Sequence, residues 1–130
     1  MKNLERFIQN DKYFDERFFG ESDMTFALKE NPEFNIYLWE GFIDDICENP
    51  RTDETGHWIG FTRDNNEFIR TYSGYPVEID LDEYIKDLLL YKDIDFEKEF
   101  GKETQEVYDL ILDFLLFAKE TNQTVIVENS

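Results

Sequence analysis

The chain has 130 residues and carries 31 Asp and Glu against 13 Lys and Arg, a formal net charge of -18 at pH 7, yet 41% of it is hydrophobic and 17% aromatic. That combination excludes an acidic disordered segment, which would be poor in aromatics, and predicts a single globular domain over residues 1–130 that buries roughly two-thirds of its unfolded surface. It also argues against direct nucleic-acid binding, which would set negative charge against negative.

Leu4, Phe7 and Ile8 are spaced for a short first helix, and Phe14, Phe18 and Phe19 follow as anchors of an irregular stretch. Ser22 or Asp23 can cap a second short helix through about Lys29, which Pro32 then closes off. Across Glu33 to Glu48, Leu38, Phe42 and Ile46 step by four and predict a helix ending before Pro50. The alternation Phe34, Ile36, Leu38 and the presence of Gly41 leave a strand start open there. His57 to Thr62 and Glu67 to Tyr72 flank Arg63-Asp64-Asn65-Asn66 and read as a β-hairpin. Gly74-Tyr75-Pro76 turns the chain into a third short strand, Val77 to Ile79, which Pro76 assigns to an edge or a first position.

Asp80-Leu81-Asp82-Glu83 is a helix start with a capping carboxylate, followed by the apolar stripe Leu81, Tyr84, Ile85, Leu88 and Leu89. Thr104 opens the last helix, with Val107, Leu110, Ile111, Phe114, Leu115 and Ala118 on one face, and Gln123 to Glu128 reads as a strand closing on the hairpin sheet. The expected fold is α+β, helices packed on a small, mainly antiparallel sheet.

Motifs for chemistry are sparse. A lone Cys47 and a lone His57 give neither an internal disulfide nor a zinc set, so the thiol reads as a small buried hydrophobe and the imidazole as a partly buried residue at a strand start. Asp93-Ile94-Asp95-Phe96-Glu97-Lys98-Glu99 alternates carboxylates as a calcium loop does, but its sixth position is Lys98 rather than Gly and its twelfth is Thr104 rather than Glu. No nucleophile elbow or Gly-rich phosphate loop occurs, so neither enzymatic activity nor a metal or other cofactor is expected. The first residues lack the apolar core of a signal peptide, and no apolar run approaches a membrane span, which predicts a cytoplasmic protein that does not engage a membrane.

The acids point instead to a partner. Glu83 with Asp87, and Asp109 with Asp113, set like charges at i,i+4, each at a cost of about 0.2–0.5 kcal/mol. Asp44, Asp45 and Glu48 crowd a helix C-terminus, the unfavourable end for anions, and Asp53 and Glu54 follow in the loop. With Trp58, Tyr72 and Tyr75 as aromatic anchors, and Asp82 and Asp87 as a further acidic face, these residues form the expected contact surface.

In size, charge and interleaving of aromatics with carboxylates, notably Asp44-Asp45, Asp53-Glu54-Thr55-Gly56-His57-Trp58 and Asp80-Leu81-Asp82-Glu83-Tyr84, the chain resembles the immunity proteins that bacteria pair with polymorphic toxins, above all those of contact-dependent growth inhibition. The resemblance implies an inhibitor that binds and neutralises one cognate toxin, often a nuclease with a basic cleft, and a monomer is expected. The alternative is a nucleic-acid mimic of the phage anti-restriction kind, whose carboxylates would be spaced like phosphates.

Overall fold

The computed structural model describes residues 4–48, 50–67, 75–93, 96 and 101–129. A 3-10 turn over Leu4–Phe7 leads into β1 (Asn10–Tyr13), and a second such turn, Glu16–Phe18, into β2 (Asp23–Leu28) and β3 (Asn35–Trp39). Then come α1 (Glu40–Cys47), α2 (Gly60–Glu67), β4 (Val77–Glu78), α3 (Leu81–Leu89), α4 (Gly101–Glu120) and β5 (Val125–Asn129). The strands form one sheet in the order β1-β3-β2-β5-β4, with β1 parallel to β3 and the other pairs antiparallel. The fold is α+β.

Alternation along the strands separates two faces. Met24, Phe26 and Leu28 of β2, Ile36 and Leu38 of β3, and Val125 and Val127 of β5 are buried. The intervening Thr25, Ala27, Tyr37 and Ile126 are only half-buried. The helices cover the buried face: Phe26 stacks on Phe61 of α2 at 5.9 Å, while Phe7, beneath α4, stacks on Phe117 at 5.2 Å and meets Phe114 edge-on at 5.6 Å. Every member of the stripe predicted for the last helix is buried in α4, which begins three residues earlier than Thr104, at Gly101.

The predicted helix start at Asp80 is present, its Oδ1 accepting from the Glu83 N–H at 3.1 Å. Asp80→Ala is therefore expected to cost about 1 kcal/mol, read as a lower urea midpoint with an unchanged m-value. Of the strand expected over Val77 to Ile79, Val77–Glu78 form β4, and it takes the edge, one of the two positions that Pro76 allowed, since β4 pairs with β5 alone.

Three expectations are corrected. Residues 23–28 form the central strand rather than a helix. The period-two series Met24, Phe26, Leu28 fits a slot between β3 and β5, and the pairing on both sides overrides the local capping signal at Ser22 and Asp23. The segment Glu33 to Glu48 is not one helix but divides at Trp39–Glu40, taking up the strand start that the alternation Phe34, Ile36, Leu38 left open, and the glycine at position 41 matters there because the Trp39 indole lies where a Cβ would stand, 2.3 Å from the nearest ring atom.

The hairpin is the third. Residues 60–67 are α2, and Arg63 to Asn66 lie inside it rather than in a turn. Gly-Phe-Thr-Arg-Asp-Asn-Asn-Glu has little intrinsic helix preference, so its partners on α3 must hold it in place. The second half of that hairpin, Phe68 to Tyr72, lies outside the described residues.

Candidate functional site

The acidic segment predicted from sequence falls on α1 and the loop after it. Phe42, Ile43, Ile46 and Cys47 bury one side of α1, which leaves Glu40, Asp44 and Glu48 at i, i+4 and i+8 on another. Residues 40–48 contain no Lys or Arg. The Asp44 pKa is raised, first by partial burial of its carboxyl, although the residue as a whole is exposed, and then by the charges of Glu40 and Asp45. Asp45 turns inward and accepts from Thr104 Oγ1 at 3.2 Å in the first turn of α4, which also satisfies its charge electrostatically.

Asp53 organises the loop. Its carboxylate accepts from the Thr55 N–H at 2.8 Å, the His57 N–H at 3.1 Å and the Thr55 hydroxyl, and these bonds lower its pKa, the Thr55 hydroxyl contributing most. Glu54 stands exposed, 3.6 Å from Lys86 on α3. His57 is exposed in this loop, its Nδ1 2.8 Å from Thr55 Oγ1, which corrects the expectation of a partly buried strand-start residue: no strand begins here. Trp58 is half-buried, and Tyr75 is 79% exposed. Asp82 is exposed on the first turn of α3 and meets Lys119 at 2.9 Å. Tyr72 lies outside the described residues.

Asp87 is not a surface residue. It is 0% exposed and serves as the acceptor that holds α2 on α3, taking the Thr62 N–H at 2.6 Å and the Thr62 hydroxyl at 2.8 Å. With its hydrogen on Asp87, Thr62 Oγ1 accepts from the Tyr91 hydroxyl, 2.8 Å away, and Tyr91 Oη in turn accepts the Arg51 N–H at 3.2 Å. A directed chain of hydrogen bonds thus joins the start of the acidic loop to a core carboxylate. Burial raises the Asp87 pKa to about 6 against the lowering influence of the Thr62 bonds, and burial pushes Tyr91 up to about 12. Cys47, also buried, has its thiol pKa raised by burial and then by Asp87 and Asp44.

Sequence reasoning missed the rest of this joint. Glu83 accepts the Gly60 N–H at 2.7 Å and an Arg63 guanidinium N–H at 2.7 Å, while Asp64 accepts from Arg63 Nε at 3.0 Å and from the Tyr84 hydroxyl at 2.5 Å. One signal was available for Asp87: Tyr84, Asp87, Leu88 and Tyr91 are spaced i, i+3, i+4, i+7, which puts the carboxylate on the buried stripe.

Among the described residues no group of three or more His, Cys, Asp or Glu side chains could hold a metal ion, and no helix is long and apolar enough to cross a membrane. No buried side-chain polar atom among them lacks a hydrogen-bond partner. No family model, curated protein or solved structure matches this chain.

Proposed function

We propose that this chain is an acidic immunity protein of the bacterial cytoplasm that binds one cognate basic toxin, a nuclease with a cationic cleft, in a stoichiometric complex and performs no catalysis itself. The observation that carries the reading is the row formed by Glu40 and Asp44 on α1 and Glu48 at its C-cap, a segment that contains no Lys or Arg. Each like-charged i,i+4 pair destabilises the helix by about 0.2–0.5 kcal/mol, and such a local cost fits a surface used for recognition better than one selected for folding. The row sits on a helix whose opposite side is locked into the core, so its charges are held in place before encounter. Glu54 and Tyr75, both exposed, extend the acidic and aromatic character of the surface. Complementary fields of this kind act chiefly on the association rate, the decisive quantity for an inhibitor racing a toxin.

The test pairs the chain with the toxin module encoded beside its gene. Co-expression is expected to rescue growth, and the triple variant Glu40→Gln, Asp44→Asn, Glu48→Gln is expected to associate about tenfold more slowly, with a flatter salt dependence. Its melting temperature should hold or rise slightly, because two repulsive pairs are removed. An unchanged association rate overturns this surface, and failure to neutralise any neighbouring toxin overturns the function. Inhibition of several unrelated DNA-binding enzymes, reversed by DNA of any sequence, would replace it with the nucleic-acid-mimic reading.

A further inference from the structure

A second surface carries the aromatic character that the α1 row lacks, and it adjoins the start of α1, where Phe18 stacks on Trp39 at 4.2 Å and the Glu40 N–H donates to the Ser22 carbonyl at 3.0 Å. Phe18, Phe19, Gly20 and Glu21 form a tight turn: the Glu21 N–H donates to the Phe18 carbonyl at 3.0 Å, Phe19 has φ -59 and ψ 131, and Gly20 has φ +91. These are the angles of a type II turn, which requires glycine at its third position. A Cβ on Gly20 would meet nothing within 4 Å, so the glycine serves the backbone and not a packing contact. The consequence is that Phe18 enters the core while Phe19 is held 71% exposed.

Beside it, Phe14 packs on Tyr37 of β3 at 4.8 Å between ring centroids and lies 6.4 Å from Phe19. Tyr37 lies on the half-buried face of β3, and its ring is fixed by a hydrogen bond from its hydroxyl to Asp23 Oδ2 at 2.7 Å. The three rings line a groove of about 900 Å³ whose rim includes Asp11 and Glu16. Neither of these carboxylates forms an ion pair with another described residue.

Two cations also reach this rim, and both are engaged elsewhere. Arg17 donates to Asp15 and Glu103 together, at 2.8–3.2 Å, with its guanidinium 4.7 Å above the Phe18 ring, and it lowers the pKa of both acids. Lys12 has its ammonium 5.4 Å from the Tyr13 ring. Arg6 repeats the first arrangement, 5.4 Å over Phe7 and 2.9 Å from Asp113. This protein thus seats its own guanidinium groups twice by the same means, a phenylalanine face below and a carboxylate at the side. The groove offers those two elements again, within a molecule whose net charge of -18 favours a cationic occupant.

We infer that the groove of Phe14, Phe19 and Tyr37, rimmed by Asp11 and Glu16, is a docking site for an arginine-bearing segment of a basic protein partner. The inference rests on the reading of this chain as a binder of a cationic protein and gives that partner an aromatic anchor formed by residues other than the α1 row. Arginine is favoured over lysine because its planar group can stack on a ring and fork onto a carboxylate at once, whereas ammonium is a strongly hydrated point charge.

The test titrates the isotope-labelled full chain with a capped hexa-arginine peptide, and separately with hexalysine, at physiological salt, following amide and aromatic NMR signals. Saturable shifts at Phe14, Phe19 and Tyr37 are expected. Binding should be several-fold weaker for hexalysine and about tenfold weaker for Phe19→Ala, and weaker also for the pair Asp11→Asn, Glu16→Gln. Because Phe19 is exposed, its variant should keep the wild-type melting temperature. Shifts confined to Glu40, Asp44 and Glu48 overturn the groove while leaving the proposed function standing. Equal binding of the two peptides, or full affinity in Phe19→Ala, overturns it as well. The absence of saturable shifts at the three rings overturns the groove, while the proposed function is decided separately by neutralisation of the neighbouring toxin.

Discussion

Asp87→Asn is expected to abolish a loss of stability that the wild-type protein undergoes between about pH 4 and pH 6. The wild-type carboxyl is 0% exposed, and its pKa is raised from 3.8 to about 6, chiefly by burial. A carboxyl whose pKa is higher in the folded state binds its proton more tightly there, so folding is favoured below the unfolded pKa and that contribution disappears as pH rises through the folded one. At about 1.4 kcal/mol for each pKa unit, the full effect is about 3 kcal/mol. Two charges act on Asp87, Glu83 on its own helix raising its pKa and Arg63 on α2 lowering it, while the neutral Cys47 on α1, Tyr91 and Tyr108 on α4 have their own pKa values raised by its charge. Asparagine retains an oxygen for the Thr62 N–H but cannot ionise. Urea unfolding of both proteins from pH 4 to pH 7 should therefore show the wild type losing about 3 kcal/mol relative to the variant as pH rises. Other groups move the opposite way. Asp15, Asp53 and Glu103 have pKa values lowered by their hydrogen bonds, so their contribution is lost as pH falls below the usual carboxylate range. They are common to both proteins and cancel in the difference. Parallel curves for wild type and variant would overturn the account of Asp87 as a charge held at a cost in the core.

The legible parts of this fold were those set by local chemistry. The stripe of α4, the Asp80 cap of α3 and the edge strand after Pro76 each need only a few neighbouring residues to be specified, and each is present. β2 and α2 depend on residues far away in sequence. Asp23 to Leu28 becomes a strand because β3 and β5 flank it. Gly60 to Glu67 becomes a helix because Glu83, Tyr84 and Asp87 on α3 bind Gly60, Asp64 and Thr62 across twenty or more positions. The same limit applies to the site. Acids default to the surface, which correctly exposes Asp44, Glu48, Glu54 and Asp82. Net charge does not distinguish them from Asp45 and Asp53, which bind their own protein, or from Asp87, which lies on the buried stripe. Phe18 and Phe19 are adjacent and chemically identical, and only the turn at Gly20 decides which is core and which is presented to solvent.

Gly60→Ala is expected to be the most destabilising small substitution in the α2–α3 joint, and a comparison with Gly56→Ala separates its two causes. Both glycines have positive φ, +51 at position 60 and +82 at position 56, so alanine at either carries a backbone strain of about 1–2 kcal/mol. Around Gly56 a Cβ would meet nothing within 4 Å. At Gly60 it would stand 2.8 Å from the Glu83 carbonyl oxygen and 3.0 Å from the Tyr84 Cα, backbone atoms of α3 that cannot swing aside as a side chain would. Relieving that overlap by moving the helices apart adds about 1–3 kcal/mol, for a total of roughly 2–5 kcal/mol. The separation also strains the bond from the Gly60 N–H to Glu83 and, one turn further along α3, the Thr62–Asp87 pair through which Tyr91 holds Arg51. Gly60→Ala should therefore lower the urea midpoint well beyond Gly56→Ala and shift the NMR signals of Arg51 and Tyr91, which Gly56→Ala should leave in place. Equal losses in the two variants would mean that the close approach of α2 to α3 does not govern this joint, and that α2 is held by some feature other than the carboxylates of α3.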